Sequence, residues 1–136
     1  MSWPVQVEMP VQWGEMDSLG HVNNSRYFTW FETARIALFE EIGLTNRGTN
    51  LTRGPILAHI ECTFRQSVHF PSVVTCASGV RSIGNTSFVL GHAVLLGDKV
   101  MAEGDGVIVL VDYTTGAKVP VSGEMRALLE ARMIVR

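Results

Sequence analysis

The sequence is poor in the features that mark specialised classes of protein. It has two cysteines in 136 residues, too few for a disulfide scaffold. Cys62 and Cys76 match no zinc spacing, so both are expected to be buried, reduced thiols. The sequence supplies no base beside either one to make it a nucleophile. Charge of one sign is also lacking. Eleven Lys and Arg stand against 13 Asp and Glu, a net charge of −2, which argues against a nucleic-acid surface. Apolar runs reach strand length only, short of the ~20 residues that span a bilayer, so no membrane role is expected. The start, Met1-Ser2-Trp3-Pro4, shows neither the basic residues nor the apolar core of a signal peptide, and the expected compartment is cytoplasmic. No Gly-rich phosphate loop precedes a helix, which makes nucleoside triphosphates and dinucleotides poor candidates. His59, His69 and His92 are too dispersed to suggest a metal site and read as ordinary strand or turn residues. No metal and no cofactor are expected.

What is present is ordinary for a folded chain: 46% hydrophobic and 18% charged residues, enough length for one domain over 1–136, and no linker, repeat or low-complexity tract. Such a chain buries roughly two-thirds of its unfolded surface. Val5, Val7, Met9, Val11 and Trp13 alternate with polar residues or Pro10, the period of a half-buried strand. Tyr27, Trp30, Phe31, Ala34, Ala37, Leu38 and Ile42 then recur at three- and four-residue steps, marking a helix up to Gly43. Phe28, Ile36 and Phe39 lie off that stripe and suggest burial on more than one side. Ala58, Ile60, Cys62 and Phe64 predict a second half-buried strand. Val73 to Ile83, Ser87 to Leu96 and Lys99 to Asp112 read as an antiparallel meander turning at Gly84-Asn85 and Gly97-Asp98. Ser122 can cap a short helix through Arg132, with Met125, Leu128, Leu129 and Met133 facing inward. Four or five strands and one long early helix make an α+β domain whose sheet must wrap or pack on that helix. Its uncovered strand edges favour oligomerisation.

The chemistry concentrates between the first strand and the first helix, in Asp17-Ser18-Leu19-Gly20-His21-Val22-Asn23-Asn24. A carboxylate there lies just ahead of a helix N-terminus, whose unpaired N–H groups and dipole can hold developing negative charge. Taken alone, Asp-Ser-x-Gly is also good turn chemistry. His21 fits either a substrate contact or a structural hydrogen bond, and Asn23 or Asn24 suits the helix cap. Glu15 reads as solvated, and Glu32 with Arg35 as a surface helix pair.

This segment resembles the signature loop and central-helix start of the hotdog-fold acyl-CoA thioesterases of the 4-hydroxybenzoyl-CoA thioesterase type. The likeness rests on an Asp three residues before a Gly, then His-Val-Asn-Asn, Tyr27 and an aromatic helix. Ser82-Ile83-Gly84-Asn85-Thr86-Ser87, a strand ending at Val111-Asp112 and a Gly116-Lys118-Pro120 tail extend it over nearly the whole chain.

The resemblance implies a hotdog fold: a long antiparallel sheet wrapped around one central α-helix. It also implies homodimers whose sheets join, assembling into a homotetramer with active sites between subunits. It makes Asp17 the catalytic carboxylate, as general base on water or as nucleophile forming a mixed anhydride. It places the oxyanion donor at the backbone N–H of Asn24, with Gly20 allowing close approach. Candidate substrate contacts are His21, Val22, Asn23, Tyr27 and Trp30, and Trp13, Phe28 and Phe31 could add to an apolar pocket. For coenzyme A the candidates are Arg65, Arg81, Ser82, Gly84, Thr86 and Ser87, with Lys99 a further cation near a strand end; the Ser82 to Ser87 turn resembles the family's pantetheine segment. In another branch of these enzymes the carboxylate comes from the helix, so Glu32, Glu40 and Glu41 compete with Asp17. The expected partner is a small-molecule acyl-CoA. A non-catalytic acyl-CoA or hydrophobic-ligand binding module is the alternative on the same fold; a hydratase ranks below both.

Overall fold

The computed structural model describes residues 1–45 and 52–135. The opening alternation forms strand β1 (Val5–Pro10). It ends sooner than the pattern predicts. The Glu15 carboxylate accepts the Gln12 N–H at 2.7 Å, and the Glu15 N–H returns to the Gln12 carbonyl at 3.0 Å. That closes a 3-10 turn over Trp13–Glu15. Trp13 is left 72% exposed, and Glu15 serves the turn.

Helix α1 (Asn24–Glu41) starts where the Asn23 side chain accepts the Ser25 N–H at 2.9 Å. It stops at Gly43, whose φ of 77° only glycine adopts without strain. The N–H of Leu44 then reaches the Phe39 carbonyl and that of Gly43 the Glu40 carbonyl, the paired bonds of a Schellman ending. Its inner face carries Tyr27, Trp30, Phe31, Ala34 and Leu38, as the spacing predicts, and also Arg35. The expected surface pair Glu32–Arg35 forms at 3.9 Å, but its arginine is buried. Of the residues off the main stripe, Phe39 is buried while Phe28 and Ile36 are exposed.

Strands β2 (Arg53–Ile60), β3 (Thr63–Phe64), β4 (Val73–Ile83), β5 (Ser87–Leu96) and β6 (Lys99–Asp112) complete an antiparallel sheet. Its order is β1-β4-β5-β6-β2, with β3 also beside β6. The meander β4–β5–β6 has the expected bounds. The second strand does not: a bulge lies between Leu57 and His59, β3 is separate, and Ala58 and Phe64 are exposed. Six strands are thus described where four or five were expected. Close approach at Gly104 of β6 shapes this edge, because a Cβ there would lie 1.8 Å from the Glu61 carbonyl oxygen.

The sheet curls around α1, which packs on β1, β4 and β5. One core cluster gathers around Trp30, Phe31, Val74 and Met101, another around Leu38, Phe88, Leu90 and Ile108. Each such side chain contributes roughly 1.5–3 kcal/mol on burial. Helix α2 (Gly123–Glu130) is capped by Ser122, whose Oγ accepts the Met125 N–H at 3.0 Å. It ends two residues before the expected limit and seats Leu129 in the second cluster. No described helix is long and apolar enough to cross a membrane.

Candidate active site

The Asp17 loop is a small hairpin. Met16 and Val22 form an antiparallel bridge. Between them the Asp17 N–H donates to the His21 carbonyl at 2.8 Å, and the Gly20 N–H to the Asp17 carbonyl at 3.1 Å. A turn closed this way needs a left-handed residue before the return strand, and Gly20 supplies it with φ 79°. Asp17 Oδ1 accepts the Leu19 N–H at 2.8 Å. The turn reading of Asp17 therefore describes one oxygen. Oδ2 makes no hydrogen bond among the described residues, and the side chain is exposed.

The first turn of α1 leaves the Asn24 donor open. The Asn23 N–H goes to the Glu15 carbonyl at 2.9 Å and the Arg26 N–H to the Asn23 carbonyl at 3.0 Å. Asn23 Oδ1 takes the Ser25 N–H and, at 2.8 Å, the Ser25 hydroxyl. The Asn24 N–H has no partner among the described residues, and it stands at the positive end of the helix dipole.

These groups share a cleft of about 430 Å³. Of the residues singled out from sequence, it brings together Asp17, His21, Val22, Asn23, Asn24, Tyr27 and Arg65. Leu19 of the same loop also lines it, as do Phe64, Gln66 and Ser67, which no sequence signal marks as site residues. The alternation with Ala58, Ile60 and Cys62 puts Phe64 on the apolar side of a half-buried strand. The break after β2 turns it instead onto Tyr27, ring centroids 5.0 Å apart and planes at 90°. The Tyr27 hydroxyl oxygen accepts the Val68 N–H at 3.3 Å, and burial raises its pKa, keeping it protonated. Arg65 at the rim holds Glu103 through Nε at 3.3 Å and is half exposed.

Other candidates lie elsewhere. Gly20 shapes the hairpin without lining the cleft, and Trp30 is in the core. Arg81 is paired with Asp105 at 2.8 Å. The Ser82 to Ser87 turn is braced by Arg126, whose Nη2 donates to the Gly84 carbonyl at 2.8 Å, and by the Val121 N–H on the Asn85 carbonyl. Thr86 accepts the Leu110 N–H through its carbonyl. None of Arg81, Ser82, Gly84, Thr86 or Ser87 reaches the cleft of its own chain. Glu32, Glu40 and Glu41 do not line it either, and Glu41 pairs with Arg132 at 3.0 Å. Burial pushes the Cys62 thiol up to about 11 and the Cys76 thiol to about 12. Cys76 is buried and Cys62 partly so. Among the described residues no group of three or more His, Cys, Asp or Glu could hold a metal ion.

A curled antiparallel sheet around one helix, with a polar cleft at that helix's N-terminus, defines a hotdog-fold domain. The chain belongs to the thioesterase-like superfamily, which it matches over residues 11–129. It is 24% identical over 128 residues to the long-chain acyl-CoA thioesterase FadM of Escherichia coli, covering 93% of this chain and 97% of that protein. Among solved structures, the PA2801 protein of Pseudomonas aeruginosa is similar at 31% identity and a TM-score of 0.83, covering 93% of this chain and 98% of that one. A Thermus thermophilus thioesterase complexed with coenzyme A and Zn is 26% identical with a TM-score of 0.83, covering 95% and 93% of the two chains. These matches bear out the expected hotdog-fold thioesterase at the level of fold and superfamily.

Proposed function

We propose that the protein hydrolyses an acyl-CoA to the free acid and coenzyme A, with Asp17 as the catalytic carboxylate. The observation that carries this reading is the shared cleft: a carboxylate with a free Oδ2 and a helix-start N–H with no partner line the same cavity. The thioester carbonyl oxygen binds the Asn24 N–H, which stabilises the negative charge formed on attack. Asp17 Oδ2 either removes a proton from the attacking water, or attacks the carbonyl itself to give a mixed anhydride that water then opens; on either route the tetrahedral intermediate collapses by breaking the C–S bond and coenzyme A leaves as the thiolate. Arg65, at the rim, offers the guanidinium nitrogens that Glu103 does not hold to a phosphate of coenzyme A. The similarity to FadM and to a thioesterase complexed with coenzyme A supports this substrate class.

The assembly we propose is a homodimer that pairs into a homotetramer. Strand β2 ends the sheet, and its Ile56 and Leu57 are exposed, as are Phe28 and Ile36 of α1. An unpaired edge beside an apolar helix face suits a second copy of the chain. Arg81 and the Ser82 to Ser87 turn lie outside the cleft of their own chain, so their proposed contact with coenzyme A is made across that assembly. The reduced cysteines fit the cytoplasm as its compartment.

Thiol release from short, medium, long and aromatic acyl-CoAs tests the function, run with wild type beside Asp17→Asn. Release by wild type and its loss in the variant are expected. Tight acyl-CoA binding without release would replace this reading with a binding module.

A further inference from the structure

We infer that His69 is a positioning residue for the hydrolytic site, acting through the Asp17 hairpin that it grips from outside the cleft. The inference rests on the reading of Asp17 and Asn24 as the reacting pair. His69 Nδ1 lies 3.0 Å from the Gly20 carbonyl oxygen. A carbonyl oxygen can only accept, so Nδ1 carries the proton and donates, as the Nδ1–H tautomer or as imidazolium. Gly20 is the left-handed residue on which the hairpin turns, so fixing its peptide plane fixes the turn.

His69 does not line the cleft, but His21 does. The two rings meet edge to face, centroids 4.9 Å apart and planes at 81°. His69 is itself held by the Ser72 hydroxyl, which donates to its carbonyl at 2.6 Å. Among the described residues, main-chain N–H donors tie only the hairpin's base to this segment: the Val22 N–H reaches the Val68 carbonyl at 3.0 Å, and the Phe70 N–H reaches the side-chain Sδ of Met16 at 3.4 Å. The His69 bond reaches its tip. Without that bond the Asp17 side chain follows a looser turn, while the Asn24 N–H stays fixed by the helix. The distance between attacking group and oxyanion donor then varies, a geometric error to which rates are sensitive.

His69 is exposed, so substitution leaves the core untouched. Two variants separate its two contacts. His69→Asn keeps a donor near the place of Nδ1 and removes the ring, whereas His69→Phe keeps a ring beside His21 and removes the donor. The expected result is that His69→Phe lowers kcat for acyl-CoA hydrolysis about tenfold with KM within about twofold, and that His69→Asn restores most of the loss. Amide hydrogen exchange supplies a readout independent of turnover: the Leu19 and Gly20 amides should exchange faster in His69→Phe and at the wild-type rate in His69→Asn. Equal kcat in all three proteins, equal loss in both variants, or a change confined to KM would overturn the inference. If wild type released no thiol, the proposed function would fall while exchange at Leu19 and Gly20 still decided whether His69 holds the hairpin.

Discussion

The imidazole of His92 stacks on the ring of Phe31, centroids 5.1 Å apart and planes inclined by 18°. Both are fully buried. His92 Nδ1 is 3.3 Å from the Gly104 carbonyl, while its Nε2 and Arg35 Nη1 have no hydrogen-bond partner among the described residues. Burial, with the Arg35 guanidinium and to a lesser degree Arg81, lowers the His92 pKa to about 4 against the pull of the Gly104 carbonyl and Asp105. The unfolded chain binds this proton near the ordinary value of about 6.5 and the folded chain does not. Stability is therefore complete above about pH 6.5, falls as pH drops towards 4, and loses up to about 3 kcal/mol from this group. Urea unfolding between about pH 7 and 4.5 should show that decline, and His92→Leu should flatten it.

Asp17→Asn is a clean test of the carboxylate, because an Asn Oδ1 still accepts the Leu19 N–H that Asp17 accepts at 2.8 Å. The hairpin should persist and the thermal midpoint should hold. Thiol release is expected to fall about 10²- to 10⁴-fold. Single turnover of wild type in ¹⁸O-water, followed by mass measurement of the Asp17 peptide, tests the nucleophilic role. Label in Asp17 identifies an anhydride that water opens at the aspartyl carbon, whereas activated water and an anhydride opened at the acyl carbon both put the label in the product acid alone.

The meander, the central helix and both helix caps were legible because period, cap and turn chemistry agree locally. Val73 to Asp112 needed only alternation and two turns, and Asn23 and Ser122 cap as their types favour. What escaped was set by tertiary approach. Nothing in the neighbours of Arg35 marks it as buried, since its place follows from the helix lying in the curl of the sheet. Phe64 fits an inward strand position until Gly104 admits the Glu61 carbonyl and breaks the strand. The loop-helix segment pointed to the cleft, but the opposite wall, Phe64 to Ser67, comes from a distant stretch with no motif of its own. His69 carries no local signal for the same reason: its partner is 49 residues away.

Glycine content alone does not rank the strand glycines, but their surroundings do. A Cβ on Gly104 would meet the Glu61 carbonyl oxygen at 1.8 Å, its carbon at 2.6 Å and Cys62 Cα at 3.0 Å, all backbone. Gly104→Ala must displace the link between β2 and β3 and should cost about 3 kcal/mol. On Gly91 the nearest atoms are the end of the Ile134 side chain at 2.6 Å and the Arg81 guanidinium at 3.1 Å, which can move. Gly91→Ala should cost about 1 kcal/mol. Chemical denaturation of the two variants checks the order, and the reverse order would mean that the Glu61 link yields more readily than two side chains.

The Asn24 N–H can be removed without removing the helix. Asn24 is the first helical residue, where proline is well tolerated because no intrahelical bond is lost. Asn23 before it has φ −62° and ψ 140°, an extended conformation that a following proline favours. Asn24→Pro should therefore keep the fold and its thermal midpoint while deleting the open Asn24 donor from the cleft. If that N–H stabilises the oxyanion, kcat falls about 10²- to 10³-fold. Asn24→Ala, which keeps the N–H and loses only the side chain, should stay within about threefold of wild type. A matched loss in both variants would move the role from the backbone to the Asn24 side chain, and no loss in the proline variant would place the oxyanion on another donor.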